Sequence, residues 1–258
     1  PQMIELYKIL EQKGKKKGAL ELDTAEAKIL VDESGEPVGI EARERGLSER
    51  LIEQFMLCAN EAVATFMHKR ELPCVYRIHE EPAPEKLEVF RQFAYQLQLD
   101  IKPLVREPVR PLAMQTVLHE AKEKGVSGPV SVVMLRSLAK ARYSAAASPH
   151  FGLAISLYCH FTSPIRRYPD LMVHRLVKLF LHDLYDERTL SKMKAVAEKA
   201  AKQSSETELQ AMNAERAIED MYKVIYMQDR VGEEFNATIS SVVSFGLFVM
   251  LDNTCEGL

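Results

Sequence analysis

Apolar residues recur at helical spacing along most of the chain. Met3, Leu6, Tyr7 and Leu10 predict a helix over residues 2–12, which Gly14 and the run Lys15 to Lys17 then convert into a basic loop. From about residue 19 to 43 the period shortens to two, and a Ser-Gly-Glu-Pro turn divides the stretch into a β-hairpin. At Ser48, a candidate N-cap, helical spacing returns: Leu51, Ile52, Phe55, Met56, Ala59, Val63, Phe66 and Met67 form a stripe that predicts one long buried helix. Further helices are expected at 84–98, 111–124, 129–141, 169–185 and 189–228. From Gly232 onward β-branched and aromatic residues alternate, which predicts about three strands, with turns at Ser244-Phe245-Gly246 and Asp252-Asn253. Alternation in this tail puts Leu247, Val249 and Leu251 on one face and Phe248 on the other, exposed. The chain contains no internal repeat and no low-complexity segment.

Composition narrows the class without naming a function. The 258 residues hold 34 Lys plus Arg against 37 Asp plus Glu, with 47% hydrophobic residues, as in ordinary globular chains. A formal net charge of −3 means that any nucleic-acid site must be a local basic patch. The four cysteines, Cys58, Cys74, Cys159 and Cys255, form no Cys-x-x-Cys pair, which argues against a disulfide framework and a thiolate zinc site and suggests a reducing, cytoplasmic setting. No apolar run is long enough for a membrane span, and the first residues lack the pattern of a signal peptide. Because the chain starts at Pro1 and stops inside an alternating apolar stretch, it is expected to be a fragment of something longer.

Candidate chemistry concentrates in residues 150–175, HFGLAISLYCHFTSPIRRYPDLMVHR. Ser163-Pro164 and Tyr168-Pro169 both suit helix starts, and Arg166 and Arg167 stand between them. Two guanidinium forks beside free helix N–H groups could hold a phosphate in a fixed orientation. The same two arginines could equally clamp acids such as Asp170 and cap neighbouring elements. Residue chemistry alone leaves both readings open.

This segment resembles the signature of the ribonuclease II and ribonuclease R family of processive 3′-to-5′ exoribonucleases, with the ribonuclease R branch the nearer likeness. In the same order as in that family, GALELDTAEAKILVDESGEP (18–37), LIEQFMLCANEAVA (51–64), LPCVYRIHEEPAPEKLEVF (72–90) and NAERAIEDM (213–221) resemble it too. The resemblance implies an α+β fold: residues 1–229 as the predominantly helical C-terminal part of the catalytic domain, with an N-terminal β-hairpin, and residues 230–258 as the first strands of a truncated OB-type RNA-binding barrel. It also implies single-stranded RNA as partner and nucleoside monophosphates as products. In such enzymes RNA threads a narrow channel, and magnesium held by an aspartate cluster activates the attacking water.

Carried over residue by residue, the resemblance makes Arg166 the phosphate-contacting arginine at the scissile end and Arg167 a less certain, more structural neighbour. Tyr168, Pro169 and Asp170 shape the turn. Glu53 matches the acid that helps hold the 3′-terminal nucleotide, and Asn60, seven residues on, can share its helix face. Glu215 matches an acid on the channel wall. Thr162 and Ser163 are counted among the RNA-binding residues, and their neighbour His160 as structural; no other histidine is assigned a role. Phe245 and Phe248, flanking Gly246, hold positions from which OB-fold aromatics stack on bases.

Two departures from the family pattern stand out. The aspartate cluster has no counterpart in these residues, since the acids of DTAEA, VDES and LYDE lack its spacing and read as solvated loops or helix ends. No magnesium is therefore expected to bind this chain alone, which is expected to be inactive while the longer parent is an enzyme. Leu22 stands where relatives commonly carry a phenylalanine against the stacked bases, and the family's N-terminal cold-shock-type domains are not expected within these residues. Complexes with the RNA-degradation machinery or the ribosome are family expectations for the parent. The rival readings are a non-catalytic RNA-binding or scaffolding protein derived from such a domain, and a helical interaction protein with no nucleic-acid role.

Overall fold

A computed structural model describes residues 1–22, 27–43, 45–251 and 255–257. The chain mixes helices with small sheets and divides into two compact units, Pro1–Leu22 with Gly46–Thr207 and Asp23–Arg45 with Glu208–Leu258.

In the first unit, helix α1 (Gln2–Lys17) runs through the expected basic loop. One internal glycine costs only about 1 kcal/mol, and lysines are good helix formers favoured at a C-terminus by the helix dipole. The stop comes at Gly18, at φ 95°, whose N–H bonds back to the carbonyls of Gly14 and Lys15. Helix α2 (Leu47–Lys69) begins one residue before the expected N-cap Ser48, because Glu49 reaches back to accept the Gly46 N–H at 2.7 Å. The helix is only partly buried: Leu51, Asn60, Ala64 and Met67 face the interior, whereas Ile52 is 51% exposed. One residue turns a helix by about 100°, which takes Ile52 off the face that Leu51 buries.

Prolines at the first helical positions start α3 (Pro84–Gln96), α4 (Pro111–Glu123) and α6 (Tyr168–Leu181). Helix α5 (Ser127–Ser137) stops short of the expected residue 141 because Leu138 turns to extended backbone. Helix α6 stops four residues before the expected 185, and Asp183, at φ 51°, makes the turn into the 42-residue α7 (Glu187–Gln228). The other expected helix start, Ser163-Pro164, forms only a turn.

Two hydrophobic clusters hold this unit. One packs Ala64, Met67, Tyr76, Ile78, Tyr143, Met172, Val173 and Ala197 from α2, α6, α7 and the strands β3 (Tyr76–Ile78) and β4 (Arg142–Ser144). The other gathers Phe90, Leu104, Met114, Val117, Val130 and Met134 from α3 to α5. Leu20 and Leu22, expected in the hairpin, pack against this second cluster. The short antiparallel pair β3–β4 is absent from the sequence reading, since three residues are too few to show a strand period.

In the second unit the hairpin pairs β1 (Ala27–Val31) with β2 (Pro37–Ala42), with Ile29 opposite Ile40. Its turn is held by Asp32, whose carboxylate accepts the N–H groups of Ser34 and Glu36 at 2.9 and 3.0 Å. The DTAEA acids at 23–26 and the expected Asp252-Asn253 turn lie outside the described residues. Helix α7 ends one residue before the expected boundary at 229/230. Beyond it β5 (Ala237–Val243), β6 (Gly246–Leu251) and β7 (Glu256–Gly257) form an antiparallel sheet in that order, and the described residues close no barrel. Burial along β6 does not follow the expected alternation: Leu247 is exposed and Phe248 part-buried. The register of β5 against β6 shifts between Ile239 and Ser241, which breaks simple alternation.

Candidate functional site

The site-bearing segment of the first unit is held by residues distant in sequence. Arg77 donates its backbone N–H to the Tyr158 carbonyl at 2.8 Å, and Tyr76 pairs with Cys159, so residues 158–159 lie alongside β3. From α2, the Asn60 carboxamide accepts the Phe161 N–H at 3.0 Å and donates to the Tyr158 hydroxyl at 3.0 Å. Asn60 is 2% exposed, so its amide is occupied inside the protein. Behind the segment, His174 stacks on Phe161 with ring centroids 3.9 Å apart.

The Ser163–Arg167 turn follows, closed by the Arg167 N–H on the Ser163 carbonyl at 3.1 Å. Asp170, in the first turn of α6, fixes it from within: one carboxylate oxygen accepts the Ser163 N–H and the Arg167 guanidinium, both at 2.8 Å. An acid in a first helical turn also suits the helix dipole. Asp170 is fully buried, and the Arg167 side chain is 19% exposed. Of the two arginines, the clamp reading therefore describes Arg167. Arg166 is exposed, and no hydrogen bond or ion pair ties it to another of the described residues. At the base of the turn, Thr162 Oγ1, Arg167 Nε and Asp170 Oδ2 are buried without a hydrogen-bond partner among the described residues. The result is an exposed guanidinium on a backbone that is held rigidly from below.

Beside this turn stands a group of rings that sequence reasoning missed. His79, His150, Tyr158, His160 and Tyr143 follow one another edge to face, with centroids 5.0, 5.5, 5.7 and 5.5 Å apart. The Arg77 guanidinium lies 4.6 Å from the centre of the Tyr143 ring. His79 accepts the Gly152 N–H on Nδ1 at 3.0 Å and donates from Nε2 to the Ala139 carbonyl at 2.7 Å, which fixes it as a neutral imidazole. The available signal was Tyr158 and His160 two residues apart, with His150 upstream in the same segment; His79 lies far away in sequence.

Burial, reinforced by nearby cationic groups, pushes His150 down to about 3 and His160 to about 2, and burial lowers His79 as well. These histidines are neutral when folded and take protons only when unfolded, near the ordinary histidine value of about 6.5. Stability is then full above pH 6.5 and falls as the pH drops from there towards 3. We expect urea denaturation at pH 5 to show a loss of about 2 to 4 kcal/mol relative to pH 7.5. An unchanged urea midpoint would contradict the neutral cluster.

The structure brings Asn60, Thr162, Ser163, Arg166 and Arg167 together in the first unit. Glu53 is exposed on α2, about 10 Å along the helix axis from Asn60. Glu215, exposed on α7, and Phe245 and Phe248 belong to the second unit. Phe245 is 73% exposed, with Phe248 edge-on to it at 6.5 Å. Among the described residues no three His, Cys, Asp or Glu side chains stand together as a metal site. No described helix is long and apolar enough to cross a membrane.

The RNB domain family matches residues 1–183. Ribonuclease R 1 of Lactococcus lactis is 43% identical over 256 residues, covering 99% of this chain and 31% of the relative. The structure of Mycoplasma genitalium RNase R in complex with ribose-methylated single-stranded RNA superposes with a TM-score of 0.93 at 31% identity, covering 99% of this chain and 40% of that one. The same enzyme in complex with double-stranded RNA gives 0.92 at 30% identity, over 99% and 45%. The chain thus spans less than half the length of these relatives. With the family match over most of the chain and ribonuclease R relatives aligned along nearly all of it, the chain belongs to the RNB-domain family.

Proposed function

We propose that this chain is the phosphate-holding part of a processive, magnesium-dependent 3′-to-5′ exoribonuclease like ribonuclease R, acting on single-stranded RNA and releasing nucleoside monophosphates. One observation carries the reading: Arg166 stands exposed and without a partner among the described residues, on a turn fixed by Asp170 and Arg167. A guanidinium so placed can grip a phosphodiester and stabilise the negative charge that develops there, with little loss of conformational freedom on binding. Asn60 positions the segment, Thr162 and Ser163 border the phosphate, and Glu53 helps hold the 3′-terminal nucleotide. Glu215 lines the path of the strand. Phe245 and Phe248 offer faces for base stacking in a sheet that opens an OB-type barrel. In this reading the carboxylates that hold the magnesium ion come from outside the described residues.

The test incubates the 258-residue chain with 5′-labelled single-stranded RNA, with magnesium or with EDTA. RNA should be bound and remain intact in both lanes. Arg166→Ala should weaken binding about tenfold at moderate salt and lower the slope of log K against log salt by about one. Stepwise 3′ shortening that needs magnesium would reveal a metal site within this chain, and an Arg166→Ala variant with unchanged affinity and slope would end the phosphate reading.

A further inference from the structure

We propose that His160 is an RNA-contacting residue of this site, its Nε2–H donating to an oxygen of the phosphodiester that Arg166 grips. The inference rests on the phosphate reading of Arg166. It departs from the structural role that sequence suggests for His160, because the structure separates the jobs of the two ring nitrogens. Nδ1 lies 2.9 Å from the Tyr143 hydroxyl, and Tyr143 and Tyr158 hold the ring edge-on from two sides. In this proposal the Tyr143 hydroxyl donates to Nδ1, so the imidazole carries its single proton on Nε2. Nε2 has no hydrogen-bond partner among the described residues, yet it is not among their buried unpartnered atoms. It is an oriented donor on a part-buried ring, available to a ligand. His79 has no such capacity, since both of its ring nitrogens are engaged.

Position selects the ligand. His160 lies six residues before Arg166, on the segment that Asn60 and Asp170 hold in place. Tyr143 and Tyr158 face it edge-on, and the charges of the nearby Arg167, Arg77 and Arg166 guanidinium groups act on it. The ring therefore stands within the field of the guanidinium that the phosphate reading uses. Burial and these cations keep the imidazole neutral, with a value near 2. A neutral donor among guanidinium groups suits an anion with several acceptor oxygens, as in a phosphodiester. It supplies direction while the arginines supply charge, and its contribution does not change with pH in the neutral range.

The experiment measures fluorescence anisotropy of a 5′-labelled oligoadenylate with the 258-residue chain, across a salt series and from about pH 6 to 8. His160→Phe, which keeps a ring and removes the donor, should weaken binding about tenfold and leave the salt slope unchanged. His160→Gln, whose amide N–H can stand in for Nε2–H, should stay within about threefold of the parent. Tyr143→Phe releases the tautomer and should also weaken binding, which keeps the test open if His160→Phe does not fold. A purely structural His160 would instead lower thermal stability in both phenylalanine variants and leave RNA affinity untouched, which would overturn the proposal. So would affinity that tightens in the parent below about pH 6.5 and loses that dependence in His160→Gln. Binding that depends on Arg166 but not on His160 overturns this inference alone, whereas no RNA binding by the unaltered chain overturns the phosphate reading with it.

Discussion

Asp170→Ala is expected to cost about 3 to 5 kcal/mol of stability, although Asp170 touches no substrate in the proposed site. Its carboxylate is fully buried and accepts the Ser163 N–H and the Arg167 guanidinium from one oxygen. Removing it leaves a largely buried guanidinium without a counter-charge and a backbone donor without an acceptor. The turn that presents Arg166 then loosens, so RNA affinity should fall with stability. Asp170→Asn keeps an oxygen for the Ser163 N–H and should be less harmful. The double change Arg167→Met with Asp170→Leu should cost much less than the sum of the single changes, because neither charge is then left alone. Urea denaturation of the variants beside the parent measures this, and a loss below about 1 kcal/mol for Asp170→Ala would show that the buried pair does not hold the turn.

Gly18→Ala is the second large effect, expected at about 3 kcal/mol or more. Gly18 closes α1 at φ 95°, where any side chain is strained, and a Cβ there would lie 2.4 Å from the backbone nitrogen of Leu112 and 2.6 Å from its Cα. Those atoms open α4 and cannot rotate away, so α1 and α4 would have to separate. Gly125 provides the comparison: its φ is 71°, and a Cβ added there would meet no atom within 4 Å. Gly125→Ala should cost only about 1 to 2 kcal/mol, from backbone strain alone. Equal shifts in thermal midpoint for the two variants would mean that the close approach to Leu112 carries no weight.

What the sequence by itself determined is whatever depends on neighbours a few residues apart. Apolar spacing and well-placed prolines located α3, α4 and α6, period-two alternation located the hairpin and the tail strands, and the SPIRR segment identified the phosphate-binding candidate before any contact was known. Even locally, competing signals of similar size misled: the glycine and lysines that suggested a loop after residue 12 are absorbed by α1, whose end is set at Gly18 by packing on Leu112.

Only the tertiary structure decided which of two adjacent arginines is a clamp and which is exposed, because the answer lies in the burial of Asp170. It alone brought Asn60 onto Tyr158, 98 residues away, and Tyr143 onto His160. It also turned Phe248 partly inward and left Phe245 as the more exposed aromatic of the tail turn. The physical reason is the same in each case. Periodicity reports which face of an element is apolar, whereas a buried hydrogen bond or a perturbed histidine depends on which distant element desolvates it, and residues widely separated in sequence carry no local record of that meeting.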